Sequence, residues 1–147
     1  MQRRPRTSSR TFTWKRVAPS RWCDYRIVST ETVFHNLCHR LGIPPGFGLL
    51  YQLPLYIGVG TARRILLREE RIDAQRALDL GLVDEVVPPD RLEERARAVA
   101  RELGELPGQM LRGIKRMLLQ HLPSLDKHFD RECEEILTAI RRRQRGH

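Results

Sequence analysis

The run Arg71–Asp90, RIDAQRALDLGLVDEVVPPD, decides the fold. Its chemistry marks a short helix, a strand and the start of a second helix. Asp73 is placed to cap the first helix, since its carboxylate can accept from the unpaired N–H groups of the next turn. Ala74, Ala77, Leu78 and Leu80 give that helix an apolar face, and Gly81 supplies the left-handed residue that ends it. Leu82 to Val87 reads as a strand, stopped by Pro88-Pro89. Asp90 and Glu93 have the spacing of a capping box for the helix that follows.

Working outward, the residues before this run predict a strand near Tyr25–Ser29 and a short extended piece at Thr32–Phe34. Asn36 to Gly46 is a loop. Gly48 to Leu53 is a short helix that should stop near Pro54, because the residue before a proline is pushed out of the helical region. Gly60 to Leu67 is a second short helix with Ile65 and Leu66 inward. Beyond Asp90 the chain is helical. Leu92, Ala96, Val99 and Leu103 fall on one face, with Gly104 ending that helix. Pro107 opens the next, with Leu111, Ile114 and Leu118 together. Ser124 can cap a last helix whose inward residues are Phe129, Cys133, Ile136, Leu137 and Ile140. So few strands make an incomplete sheet, so an open edge and an uncovered apolar face are expected unless a partner covers them.

These segments, in this order, resemble the enoyl-CoA hydratase/isomerase (crotonase) family. The helix-turn Ile72-Asp73-Ala74 to Gly81-Leu82-Val83 is similar to the family's I-D/S-A-x-x-A-x-x-x-G-L-V. Cys23-Asp24-Tyr25-Arg26-Ile27-Val28-Ser29 is similar to its C/A-D-x-R-I-A-S strand, and Val33-Phe34 matches a further position. Leu41-Gly42-Ile43-Pro44-Pro45-Gly46-Phe47-Gly48 looks like its L-G-I-x-P-G-x-G active-site turn, followed by Leu53-Pro54 and Gly58. The resemblance covers about residues 23–140. It implies an α/β chain, the C-terminal part of a crotonase (ClpP/crotonase-like) spiral fold. Residues 23–89 would be a partial core with the active-site turn. Residues 90–140 would be the helical trimerisation region. The family's N-terminal sheet, its first oxyanion-hole segment and its Gly-Gly-Gly turn have no counterpart here. The leader, residues 1–22, is therefore expected to be disordered and foreign to the fold, through a frame change, a misassigned start or a truncated gene. A divergent N-terminus is the alternative.

Charge supports that division. The chain of 147 residues carries a net charge of +9. Arg3, Arg4, Arg6, Arg10, Lys15, Arg16 and Arg21 lie in the leader, and Arg141, Arg142, Arg143 and Arg145 in the tail 141–147. These eleven leave 16 basic residues against all 18 acidic ones in the body, a net of −2. The basicity belongs to the two ends. Such ends can hold nucleic acid without specificity, yet no nucleic-acid motif accompanies them, so a basic-tailed nucleic-acid binder is the weaker alternative and no specific nucleic acid is expected. Three widely spaced cysteines and no signal peptide point to a reducing, cytoplasmic setting. No apolar run reaches membrane-spanning length, so no membrane partner is expected.

The resemblance implies chemistry on acyl-CoA thioesters by stabilising a thioester enolate, in fatty acid or polyketide metabolism, as a lyase or isomerase. No cofactor is implied beyond the coenzyme A of the substrate, and no metal. Hydratases of the family use two Glu, one to hold the water and one to move the proton. The first falls near Ala18 in this chain and the second at Cys38. A thiol, whose ordinary pKa is roughly 8.5, is a poor substitute for a carboxylate base, so a catalytic role for Cys38 is doubtful and hydration by this chain alone is not expected. Leu41, Gly42, Pro45, Gly46, Phe47 and Gly48 would line the acyl pocket, where glycines let the backbone approach a ligand. Lys115 is a candidate for a CoA phosphate. His35, Cys38 and His39 invite a zinc reading but lack a fourth ligand nearby, and Cys38 as a nucleophile lacks an orienting group. The implied partners are an acyl-CoA and further subunits, as a homo-trimer or hexamer. The alternative is a non-catalytic chain that associates with full-length crotonases.

Overall fold

A computed structural model of the chain describes residues 11–13, 23–35, 38, 41–46, 48–119 and 125–145. Its elements, in chain order, are β1 (Thr11–Thr13), β2 (Ile27–Ser29), β3 (Val33–His35), α1 (Leu49–Ile57), α2 (Val59–Arg68), β4 (Ile72–Asp73), α3 (Ala74–Asp79), β5 (Glu85–Val87), a 3-10 turn (Pro89–Arg91), α4 (Leu92–Gly104), α5 (Gly108–Leu119) and α6 (Leu125–Gln144).

Asp73 caps α3 as its position predicts: Oδ1 accepts from the Arg76 N–H at 2.8 Å. The exit is a Schellman closure. Gly81, at φ +71°, donates to the Leu78 carbonyl at 2.9 Å, and Leu82 donates to the Ala77 carbonyl at 2.8 Å. Val83 shares that carbonyl at 3.3 Å. This corrects the expected strand Leu82–Val87, which is reduced to Glu85–Val87. Leu82 and Val83 are buried in the core, but their N–H groups are committed to closing α3 and cannot join a ladder.

The capping box at Asp90 does not form. Proline's fixed φ suits a tight turn, and Pro89–Arg91 coils into the 3-10 turn, taking Asp90 with it. Arg91 becomes the N-cap of α4 with no side-chain hydrogen bond, and Glu93 pairs with Arg97 one turn on, at 2.6 Å. Gly104 is the last residue of α4 but has no positive φ; Glu105 donates to the Arg101 carbonyl at 3.1 Å instead.

Pro54 does not stop α1, which runs on to Ile57. A proline inside a helix costs roughly 3 kcal/mol. Leu49 and Leu53 are fully buried before it, and Tyr56 and Ile57 pack on the same core after it. Burying each large apolar side chain returns about 1.5–3 kcal/mol, so the continued helix wins. Gly58, at φ +74°, then turns the chain directly into α2, closing α1 with an N–H donated to the Pro54 carbonyl at 2.9 Å.

The sheet is in two pieces. β3 lies between β1 and β4, parallel to the first and antiparallel to the second. β2 pairs with β5 in parallel, Val28 opposite Val86. β1 corrects the expectation of a leader without structure over three residues: Thr11 and Thr13 are β-branched around an aromatic, a pattern that suits a strand. The rest of the leader, residues 1–10 and 14–22, lies outside the described residues, as do His39, Phe47 and Ser124. Phe34, Leu49, Leu53, Ala62, Ile65, Ile72, Ala77, Leu82 and Val83 form one core between β3, α1, α2 and α3. Beyond it the buried apolar residues among those described are Ala74 of α3, Val87 of β5 and Val99 of α4.

Candidate active-site turn

The turn before α1 is built from its backbone. The Cys38 carbonyl accepts from the N–H groups of Leu41 at 3.0 Å and Ile43 at 3.3 Å. Gly42, at φ +62°, and Gly48, at φ +72°, take left-handed conformations. Gly48 is the N-cap of α1, and neither a side chain of its own nor an acid in the first helical turn satisfies that end.

Helix α6 supplies what the local sequence does not. Glu132 is buried, 5 % exposed, and both its carboxylate oxygens face the Gly48 N–H, Oε2 at 2.9 Å and Oε1 at 3.2 Å. The other contacts of α6 follow the turn in order. Arg143 Nη1 donates to the Leu41 carbonyl at 2.8 Å. Ile136 lies against Gly46, so close that a Cβ on the glycine would sit 3.0 Å from Ile136 Cδ1. The His128 ring meets Tyr51 of α1 with centroids 5.1 Å apart. His128, Glu132, Ile136 and Arg143 are spaced by four, four and seven residues, which places them on one helical face.

Leu41, Gly42, Pro45, Gly46 and Gly48 thus come together in one turn under α6. Cys38 begins that turn, half-buried and in no disulfide. His35 is buried in β3, and among the described residues no three His, Cys, Asp or Glu side chains are grouped to hold a metal. Lys115, on α5, pairs with Asp24 at Nζ–Oδ2 2.6 Å, both side chains more than half exposed. An exposed pair of this kind contributes about 0–1 kcal/mol, so Lys115 can leave it at little cost.

The inward face expected for α6 needs correction. Cys133, Leu137 and Ile140 are exposed, while Phe129 and Ile136 are half-buried and Glu132 is the most buried of the helix's described side chains. The apolar stripe was a poor guide because the turn presents an N–H that needs a charged acceptor. The signal for Glu132 was its four-residue spacing from both His128 and Ile136. A second polar cluster ties β5 to α4: Arg95 Nε donates to both Glu85 oxygens at 2.8 and 2.9 Å, and its Nη1 to Glu102 at 3.0 Å. These bonds raise the Arg95 pKa. Desolvation, then the Glu85 carboxylate beside it, pushes the Tyr25 phenol above its ordinary range. Neither group changes charge near neutrality, so this cluster is a brace.

The geometry meets known proteins at this point. Residues 20–140 match the model of the enoyl-CoA hydratase/isomerase family, and the chain belongs to that family. It is 37 % identical over 81 residues to the short-chain-enoyl-CoA hydratase of Clostridium acetobutylicum, a match covering 55 % of this chain and 31 % of that one. Ethylmalonyl-CoA decarboxylase of Rattus norvegicus is 31 % identical over 97 residues, covering 64 % of this chain and 32 % of that one. The crystal structure of an enoyl-CoA hydratase from Mycobacterium smegmatis superimposes with a TM-score of 0.73 and 29 % identity, over 89 % of this chain and 60 % of that chain. The fold is a crotonase fold, and the matched stretch is about a third of the length of these two curated relatives.

Proposed function

We propose that this chain binds acyl-CoA thioesters at the Gly46–Gly48 turn and does not hydrate them by itself. The observation that carries the reading is the turn: two left-handed glycines, a buried Gly48 at the head of α1, and α6 braced along it. A backbone without side chains allows close approach of a ligand. The relatives named above act on different CoA esters, one a hydratase and one a decarboxylase, so the thioester is the shared chemistry and the reaction is not.

Hydration needs an acceptor to hold water and a group to move its proton. Cys38 stands where the family resemblance assigns one carboxylate, and the other position falls near Ala18. The Gly48 N–H is already bonded to Glu132, so it is not a free donor for a thioester oxyanion. The turn contributes shape, and enolate stabilisation requires N–H donors from elsewhere.

Titration calorimetry of crotonyl-CoA with the chain, beside a steady-state hydration assay, tests this. Binding with hydration at background is expected. Absence of binding overturns the thioester reading. Turnover at about 1 s⁻¹ or more, the range of ordinary enzymes, overturns the inactivity. A second reading, a non-catalytic subunit that joins full-length family members, is favoured by the exposed Met110, Ile114, Met117 and Leu118 of α5. A pull-down with a full-length family member distinguishes the two.

A further inference from the structure

Helix α1 begins without a side-chain acceptor from its own stretch of chain; locally, the Leu49 N–H reaches only the Gly46 carbonyl, at 3.4 Å. Its N-cap is a glycine, and no acidic residue occupies its first turn. The free N–H groups at a helix start attract negative charge. That charge arrives from Glu132, 84 positions later in the chain, and it is buried there. A buried carboxylate is costly unless it is well bonded, and among the described residues Glu132 has no cationic partner. Among those residues its hydrogen-bond donor is the Gly48 N–H, with the helix end behind it.

The same seam contains two buried atoms that add nothing to this grip. Gln52 Oε1, one turn further along α1, and His128 Nε2, one turn back along α6, have no hydrogen-bond partner among the described residues. Arg143 on Leu41 and Ile136 on Gly46 hold the other end of the turn. The left-handed Gly48 is therefore fixed by an anion on the last helix.

We propose that Glu132 is a positioning residue: from α6 it holds the glycine turn in the shape that takes an acyl-CoA, so that ligand affinity depends on a carboxylate remote from the ligand. This rests on the thioester reading above.

The test uses the full chain with Glu132→Gln, Glu132→Met and, on the exposed side of the same helix, Glu135→Gln. Gln keeps the volume and one acceptor oxygen; Met keeps the volume alone. Hydrogen exchange, followed by mass spectrometry of peptides spanning residues 46–52, reads the grip. Calorimetry with crotonyl-CoA reads the consequence. Exchange at Gly48 should quicken roughly tenfold or more in Glu132→Met, the size of one hydrogen bond to a charged group, and less in Glu132→Gln. Affinity should fall in the same order, with Glu135→Gln unchanged in both. Equal exchange in all four proteins overturns the proposal. So does unchanged affinity in Glu132→Met, which would leave Glu132 a purely structural cap while the thioester reading stands. If the unaltered chain binds no CoA ester, the thioester reading fails and takes the ligand half of this proposal with it, and the exchange data still decide the grip.

Discussion

Gly46 and Ile136 show how little space the turn leaves. Gly46 needs no left-handed backbone, so alanine there meets only the steric limit, a Cβ 3.0 Å from Ile136 Cδ1. Overpacking of this kind costs about 1–3 kcal/mol. Valine at 136 lacks that Cδ1 and removes the clash. Cδ1 is the tip of a half-buried side chain that can shift, so Gly46→Ala is expected to lower stability by about 1 kcal/mol, the low end of that range, and Gly46→Ala with Ile136→Val to recover at least ~0.5 kcal/mol beyond additivity. Urea titration of the four proteins of the cycle measures this; strict additivity would mean that the two residues do not touch. Cys38 carries a different expectation. Because water addition uses two carboxylates, Cys38→Glu alone should leave crotonyl-CoA hydration at background, and measurable turnover in that variant would show that one suffices. The glycines of the turn before α1 were legible from their spacing and from the family pattern around them. Glu132 was not, because a glutamate among the charged residues of a C-terminal helix reads as solvated until the partner N–H is placed beside it.

Elements were legible in proportion to how local their causes are. α3 has its start and stop written within nine residues, Asp73 to Gly81, and both work as read. Asp73→Ala should cost about 1 kcal/mol and lower the melting temperature by about 2–4 °C for a chain of this size. Circular dichroism melts check it, and an unchanged midpoint would mean that the Arg76 N–H finds water at no loss. The misread elements all depend on distant contacts or competing local geometry. Pro54 signals a stop, yet burial on both sides of it carries α1 onward. Asp90 and Glu93 have capping-box spacing, yet the preceding prolines place Asp90 in a 3-10 turn. The face of α6 is chosen by the turn it lies on, and apolar periodicity alone pointed about one position away.

At the scale of the whole molecule, the C-terminal helices α5 and α6 leave a series of large apolar side chains in solvent. Around the core from Phe34 to Val83, Val59 and Leu67 are exposed at 70 % and 72 %, and on the C-terminal helices Met110, Ile114, Met117, Leu118, Leu137 and Ile140 are all exposed. Single exposed apolar residues are ordinary, but a series on α5 and α6 is the mark of a surface that meets another protein. We expect the chain to self-associate, or to join a longer family member, through these helices. Leu118 and Leu137 lie outside the core, so replacing both with Asp should leave folding intact while placing unpaired charges in an apolar contact, a loss of several kcal/mol. Light scattering across a range of protein concentrations measures the mass of each form. The unaltered chain should show a mass that rises with concentration, and Leu118→Asp with Leu137→Asp should shift it toward a single chain with its helical signal retained. A compact monomer at every concentration, with one cooperative thermal transition, would show that these side chains are covered by nothing and that the helices are not an interface.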